Sequence, residues 1–315
     1  MSTGTMNPER TLERPAPTPA AAGRGDLRPI DAIYRAPRKH WVGDGFYVAG
    51  YFAAIPEAAR KLDPFLLLDY HPTHDYPPSE QPRGVGVHPH RGFETVTIAW
   101  QGSVAHHDST GAGGVIGPGD VQWMTAASGI LHKEHHEEAF SRGGGPFQMA
   151  QLWVNLPRAH KMDAPGYQAL TAGAMGVVTL PERAGEVRVI AGELDGVRGP
   201  AKTHTPIQVF DVRLRAGGKI DLPLPSRHNA AVLVMAGDVR VNDAAHAVAD
   251  DFVVFENTGE RVLVEATAEA HLLVLSGEPL NEPIVQYGPF VMNTEREIVQ
   301  AFTDFRAGKF GRLDD

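Results

Sequence analysis

Two stretches of the chain determine the expected fold: residues 88–100 read HPHRGFETVTIAW, and residues 118–134 read PGDVQWMTAASGILHKE. The first joins a His-x-His pair to a segment with the composition of a β-strand. The second leads from a Pro-Gly-Asp turn through another strand to a His-x-Glu pair. Residues i and i+2 of a strand face the same side. Each pair therefore presents two possible metal ligands on one face.

Together, the side chains of the two pairs predict a metal site. His88, His90 and His132 offer three imidazoles and Glu134 offers a carboxylate, a donor set suited to a divalent transition metal. A six-coordinate ion would keep two positions open for water, substrate or dioxygen. Glu94 is an alternative fourth ligand, because the spacing His88-x-His90-x-x-x-Glu94 keeps it on the same face further along the strand.

Histidines are concentrated in this part of the chain, with nine of the 15 lying between residues 71 and 136. The pairs His106-His107 and His135-His136 are adjacent, so their side chains should point to opposite sides of a strand. We expect them at the rim or on the surface. The sequence contains no phosphate-binding loop, nucleophile elbow, EF-hand or zincin pattern.

The composition restricts the class of protein. The chain has 315 residues, 42% of them hydrophobic, a net charge of −9 and no cysteine. Its length predicts about two domains. The acidic balance disfavours direct nucleic-acid binding, and the lack of cysteine excludes disulfides and thiolate ligands. No apolar run predicts a membrane span and no secretory signal is visible, so the cytoplasm is the expected location.

The 34 glycines and 25 prolines predict many turns and short strands. We expect a disordered or arm-like tail at 1–28, a metal-binding barrel at 29–160, a linker region at 161–200 and a second barrel at 201–315. A Gly-Asp-Val turn at 119–121 recurs at 237–239, which suggests two related units. Thr294 and Glu297 form a capping box that begins a C-terminal helix, and Gly308 ends it. Strands are expected at 64–70, 93–100, 121–125, 147–156, 209–214, 230–235, 238–241, 251–256 and 270–275.

The two opening stretches, with QLWVNLP at 151–157, DPFLLLDYHP at 63–72 and SGEPLNEPIVQYGPFVMNT at 276–294, closely resemble the pirin family of bicupin proteins. The resemblance covers residues 29–312. It implies an all-β fold of two antiparallel cupin barrels with a C-terminal helix. It also implies one metal, usually iron, in the N-terminal barrel, whereas the other barrel usually lacks one. The family's ligand positions fall on His88, His90, His132 and Glu134, and Glu94 matches a ligand of cupins in general.

The resemblance implies two classes of function. Bacterial pirins can open quercetin with dioxygen, and animal pirins act as iron-dependent transcription cofactors. We favour an Fe(II)-dependent, quercetin 2,3-dioxygenase-like enzyme acting on a small aromatic flavonol, with Glu134 as ligand and general base; other first-row metals are alternatives to iron. The alternative is a metal-dependent regulatory protein that binds a protein partner without turnover, and a metal-dependent isomerase is a weaker third candidate. The candidates for the pocket wall are Phe93, Trp123, Met124 and Trp153.

Overall fold

The computed structural model describes residues 26–56 and 60–314. Antiparallel strands dominate and form two units, each with one seven-stranded and one four-stranded sheet. This arrangement confirms the predicted all-β, two-barrel fold, although hydrogen bonding does not close either barrel into one continuous sheet. Among the described residues, no helix is long and apolar enough to cross a membrane. The helices that lie wholly within the described residues are α1 (Tyr51–Ala54), α2 (Glu138–Gly143) and α3 (Glu295–Arg306), with 3-10 turns at Arg158–His160, Ala172–Ala174 and Pro181–Arg183.

The first barrel contains both segments that predict the metal site. Its larger sheet consists, in spatial order, of β12 (Gly166–Leu170), β9 (Val121–Thr125), β6 (Phe93–Gln101), β11 (Gly145–Asn155), β4 (Phe65–Tyr76), β3 (Phe46–Gly50) and β2 (His40–Val42). Its smaller sheet consists of β5 (Gly84–His90), β10 (Ile130–His136), β7 (Val104–Asp108) and β8 (Gly113–Ile116).

The second barrel repeats this architecture. Its larger sheet consists, in spatial order, of β1 (Ile30–Tyr34), β22 (Phe252–Phe255), β19 (Asn229–Ala236), β24 (Ala270–Gly277), β17 (Ile207–Leu214), β14 (Gly185–Ala191) and β13 (Gly176–Thr179). Its smaller sheet consists of β18 (Lys219–Pro223), β23 (Arg261–Ala266), β20 (Asp238–Val241) and β21 (Ala245–Val248). Two-stranded ribbons are formed by β15 (Glu193–Leu194) with β16 (Val197–Arg198), and by β25 (Val285–Tyr287) with β26 (Phe290–Met292). Each of the nine predicted strands overlaps one of these.

The two barrels pack through a shared apolar interface. β6 is buried along almost its whole length, because one face lines its own barrel and the other meets the second barrel. Val96 and Ile98 belong to the same apolar cluster as Leu233 and Leu275 of the second barrel. At the edge of this cluster the Trp100 indole N–H donates to Asp211 across the interface, with an Nε1–Oδ2 distance of 3.1 Å. β6 therefore links the barrel interior to the inter-barrel contact.

The ends of the chain are exchanged between the barrels. β1 pairs with β22 of the second barrel, and the chain before it is already ordered at Arg28, which is fully buried. At the other end, the C-terminal segment from β25 to α3 packs on the first barrel through a bridge between Arg91 and Phe290. The domain boundaries expected from the sequence differ from this arrangement. They assigned residue 29 to the first barrel and the C-terminal helix α3 to the second. The part of the expected tail before residue 26 lies outside the described residues.

The region expected as a linker also belongs to the barrels. β12 extends the larger sheet of the first barrel by pairing with β9, whereas β13 and β14 extend that of the second. Hydrogen bonding to an open sheet edge satisfies the backbone polar groups of these segments, which a free linker would leave to water. The chain thus passes from one barrel to the other between β12 and β13.

The C-terminal helix has the predicted cap. Thr294 is the N-cap, its Oγ1 accepting from the Glu297 backbone N–H at 3.3 Å, and Gly308 has a left-handed φ of +73° just beyond the end. Beyond the helix, the buried Phe310 ring packs against Phe290 and under the guanidinium of Arg91. A β-carbon on Gly129 would lie 2.5 Å from that ring, so this close contact requires a glycine.

Phe310 should therefore be important for stability. Phe310→Ala removes a buried ring and leaves a cavity, so we expect a loss of about 3 kcal/mol in the free energy of unfolding, measured by urea denaturation. Phe305→Ala is the matched control, because Phe305 is 38% exposed. It should lose about 1 kcal/mol or less. Equal losses in the two variants would contradict the packing described.

Candidate metal centre

Pairing between β5 and β10 brings the predicted ligands together. His132 lies directly opposite His88 in the antiparallel register. The ring centroids are 4.2 Å apart for His88 and His132, 4.8 Å for His88 and His90, and 4.8 Å for His90 and His132. One nitrogen from each of the three rings lies within 4.8 Å of the others. The imidazoles that the sequence predicts as ligands therefore converge on one point.

The hydrogen bonds of these rings leave nitrogens available for a metal. His88 Nδ1 lies 2.8 Å from the Gly86 carbonyl oxygen, and His90 Nδ1 lies 3.4 Å from that of Pro289. If Nδ1 carries the proton in each contact, Nε2 keeps its lone pair. His132 Nε2 is buried and has no hydrogen-bond partner in the described parts of the chain. Three inward nitrogens of this kind fit a divalent transition metal.

Two of the imidazoles are also held in the neutral form that a metal requires. Burial and the neighbouring His88 together lower the pKa of His90 to about 3. Burial, together with the surrounding histidines, holds the pKa of His132 well below its usual value. Neutral imidazole is the ligand form of histidine, so His90 and His132 are prepared to bind a cation without first releasing protons.

Glu134 lies on the same face of β10 as His132 and is 5% exposed. Its carboxylate accepts hydrogen bonds from Thr97 Oγ1 at 3.1 Å and from Gln151 Nε2 at 3.0 Å. These donors, on neighbouring strands of the opposite sheet, fix the orientation of the carboxylate. A second ligand group, formed by His106, His132 and Glu134, shares His132 with the three-histidine group.

His106 is a site residue that sequence analysis missed. It is buried, its Nδ1 lies 3.4 Å from His132 Nδ1, and its ring stacks on Tyr167 with centroids 5.5 Å apart. The expectation of a rim or surface position is wrong for His106, and also for His136, whose Nε2 lies 2.9 Å from the Gly45 carbonyl oxygen. Adjacent histidines do face opposite sides, but one of each pair faces inward. The alternation along β7 could have indicated this orientation, because Val104 and His106 lie two residues apart and both are buried.

Glu94 lies on the opposite face of β6 from the histidine cluster. Gly92 separates β5 from β6 with a φ of +89°, so the alternation from His88 and His90 does not continue to Glu94. Its carboxylate accepts from Thr125 Oγ1 at 2.7 Å. The structure therefore does not bring the alternative ligand to the centre. Trp123 shares this outward face and packs in the inter-barrel cluster, so it does not line the pocket.

Two of the expected wall residues do lie beside the cluster. Trp153 packs against His90 at a centroid distance of 5.2 Å and against Phe93 at 4.2 Å, with Phe93 also in contact with His90. Met124 faces the same interior, since it pairs with Thr95 on that face of β6. The centre thus has an apolar, aromatic side opposite its polar ligands.

The exchanged C-terminal segment contributes to the centre. The Pro289 carbonyl that contacts His90 comes from the turn between β25 and β26. Lys161 is buried and joins this segment to the first barrel, with Nζ donating to Gly92 O at 2.7 Å and to Val291 O at 3.0 Å. Burial lowers the pKa of Lys161 to about 8. The orientation of His90 therefore depends on residues 199 positions further along the chain.

Comparison with known proteins gives the family. The pirin sequence profile matches residues 46–154, and that of the pirin C-terminal cupin domain matches residues 209–311. A Pseudomonas aeruginosa protein provisionally named quercetin 2,3-dioxygenase is 53% identical over 286 residues, which cover 91% of this chain and 99% of the relative. The chain belongs to the pirin family. Human pirin is 40% identical over 260 residues, covering 80% of this chain and 84% of its own.

A solved structure agrees in fold. The crystal structure of a quercetin 2,3-dioxygenase from Acinetobacter baumannii superposes with a TM-score of 0.87 at 45% identity, covering 91% of this chain and all of the other. Pirin membership confirms the bicupin architecture. Within the described residues, both groups of side chains close enough together to hold a metal lie in the first barrel of this pirin.

The two glutamates should differ in metal retention. Glu134→Gln removes the carboxylate beside the three imidazoles, so we expect at least a tenfold loss of Fe(II) affinity, as is usual when a metal site loses a supporting group. Glu94→Gln, the matched control, should keep the affinity of the unchanged chain.

His88→Ala and His132→Ala should lose the metal while circular dichroism keeps its β-sheet signal. Metal content measured after anaerobic dialysis checks all four, and loss in Glu94→Gln would contradict the assignment.

Glu94 also predicts a pH dependence of stability. Burial raises its pKa from 4.5 to about 7, an effect that the hydrogen bond from Thr125 only partly offsets. Because the folded pKa lies above the unfolded one, folding favours the protonated acid, and this contribution is lost as pH rises through 7. Glu94→Gln should therefore be more stable than the unchanged chain at pH 8, by up to about 3 kcal/mol, and similar to it at pH 4.5. Urea denaturation at both pH values measures this, with the exposed Glu182→Gln as control.

Proposed function

We propose that the chain is an Fe(II)-dependent dioxygenase that opens the ring of quercetin or a related flavonol with O2. One observation carries the proposal: three imidazoles converge, and one of them, His132, also groups with Glu134, a carboxylate oriented by Thr97 and Gln151. This cluster lies in a chain that is 53% identical to a protein provisionally named quercetin 2,3-dioxygenase. The cytoplasmic location stays a prediction.

His88, His90, His132 and Glu134 would hold the metal. When bound, Fe(II) supplies the redox chemistry that allows dioxygen to react with an electron-rich enolate. The residues of the chain do the rest. Glu134 would take the proton of the substrate's 3-hydroxyl, because it is the carboxylate at the cluster and its hydrogen bonds point it inward.

The aromatic side of the centre suits a flat substrate. Trp153 and Phe93 pack on each other beside His90, and Met124 adds an adaptable apolar contact. Packing of a flavonol against these side chains would exclude water from the enolate. The polar side of the barrel would then face the oxygen atoms of the substrate. This division matches the usual composition of small-molecule sites, which are mostly apolar with a few placed polar groups.

The second candidate is a regulatory protein that binds a protein partner without turnover. One observation favours it: the ribbon that supplies Pro289 to His90 also carries Tyr287, which is 68% exposed and packs against Phe302 of α3. A change at the metal centre could thereby alter a surface. Stoichiometric binding of a protein partner, with no flavonol turnover by the iron-loaded chain, would select this candidate.

The enzyme proposal predicts flavonol-dependent oxygen uptake. Protein purified without oxygen and loaded with Fe(II) should consume O2 with quercetin, as the flavonol absorbance falls. Glu134→Gln, refilled with excess iron to equal metal content, should turn over about 10²-fold more slowly because the amide cannot accept the proton. Glu94→Gln should keep the full rate. Wild-type turnover by the refilled Glu134→Gln variant would exclude Glu134 as the base.

A further inference from the structure

Gln122 is a polar side chain of the barrel interior that the proposed mechanism does not use. It lies on β9 directly opposite Thr97 of β6, and paired residues of antiparallel strands share a face. Thr97 Oγ1 donates to Glu134. Gln122 is therefore on the inner wall, one strand further from Gln151 and level with the Glu134 carboxylate.

The Gln122 amide is unpartnered within the part of the chain that the structure describes. Gln122 is completely buried, and neither Nε2 nor Oε1 has a hydrogen-bond partner in residues 26–56 and 60–314. Gln151 faces Thr97 from the other side and donates to both Glu134 oxygens. Two glutamines thus flank Thr97, one committed to Glu134 and one with its donor and acceptor both open. A buried polar group without a partner costs about 1–3 kcal/mol, so an unpaired amide here indicates a ligand or water that satisfies it.

The order of these groups along the wall matches a row of oxygens on a flavonol. A 5-hydroxyflavonol carries the 3-hydroxyl, the 4-carbonyl and the 5-hydroxyl side by side on one edge. Glu134 accepts a proton at one end of the wall, and the Gln122 amide offers one N–H donor and one oxygen acceptor at the other. If Glu134 faces the 3-hydroxyl, the donor suits the carbonyl and the acceptor suits the 5-hydroxyl.

We propose that Gln122 is the specificity residue that selects flavonols with a hydroxyl next to the carbonyl, donating from Nε2 to the carbonyl oxygen and accepting at Oε1 from the 5-hydroxyl. The inference rests on the proposed function. The neighbouring wall is consistent with a ring in this place, because Thr95, which pairs with Met124 and Trp153, separates the amide from the aromatic side. A buried donor–acceptor pair rejects an analogue that lacks its partner group.

Quercetin and its 5-deoxy analogue fisetin test the inference, since they differ only in the 5-hydroxyl. For Fe(II)-loaded protein we expect kcat/KM about tenfold higher for quercetin, and Kd about tenfold lower when measured by tryptophan quenching under nitrogen. Gln122→Met should reduce both ratios to less than about threefold, mainly by weakening quercetin. Gln151→Met is the matched control: it should slow both substrates through Glu134 and leave the ratio unchanged. Metal content and circular dichroism are compared for every variant.

Gln122→Asn is the second variant, which keeps an amide in the wall but moves it back by one methylene. It should reduce both ratios to less than about threefold, because the amide no longer reaches the carbonyl and the 5-hydroxyl together. This result supports the inference even if Gln122→Met does not fold. If the unchanged chain opens both flavonols and a folded variant, Gln122→Met or Gln122→Asn, keeps its ratio, the inference is wrong and Gln122 binds only buried water. If the iron-loaded chain neither binds nor opens either flavonol, the proposed function itself fails.

Discussion

The pairing of β5 with β10 is the constraint on which the centre depends. It places His88 opposite His132, and a shift of one residue would send one set of side chains to the outer face of the barrel. The register is irregular only after His132, where Glu134 lies opposite Val85. Because the imidazoles lie close together, with His90 and His132 buried, the protein bears the cost of burying them before any cation binds. Metal affinity then depends on backbone pairing rather than on side-chain rearrangement.

Sequence periodicity predicted what depends on local alternation. The His-x-His and His-x-Glu pairs, the strands and the cap at Thr294 follow from period-2 patterning and capping chemistry, and each prediction needed only a few adjacent residues. The prediction of Glu94 as an alternative ligand failed because Gly92, with a left-handed φ, breaks the alternation between β5 and β6. A glycine in a pattern of strands does not reveal on its own whether the chain continues straight or turns.

Features that depend on pairing between distant parts of the chain could not be predicted from the sequence. Whether His106 or His107 faces inward is decided by the pairing of β7 with β10, in which His106 lies opposite Glu134. The exchange of β1 and the C-terminal segment is set by which sheet edges remain open after each barrel forms. Neither a hydrophobic pattern nor a capping motif identifies its partner edge. The family resemblance agreed with the four ligand positions that the two pairs predict, but it did not give the outward orientation of Glu94 and Trp123.

The two barrels show how one architecture supports different interiors. The inward positions of the second barrel are apolar, as at Val232, Leu272 and Val274, and they fill its core. In the first barrel the inward positions of β10 are Ile130, His132, Glu134 and His136, so three of the four are polar. Polar groups in such a place need partners, and Thr97 and Gln151 supply them for Glu134. One barrel can therefore carry a polar functional centre, while the apolar core of the other barrel supplies the stability that a polar core lacks.

The exchanged ends also affect the order of events during synthesis. Pro289, which contacts His90, and Val291, which holds Lys161, are translated only after the whole second barrel. A nascent chain that has released only the first barrel from the ribosome has all four candidate ligands but lacks the carbonyl that orients one of them. β1, made first, must likewise wait more than 200 residues for β22. The metal centre is thus completed last, so that a truncated product would not acquire a finished site.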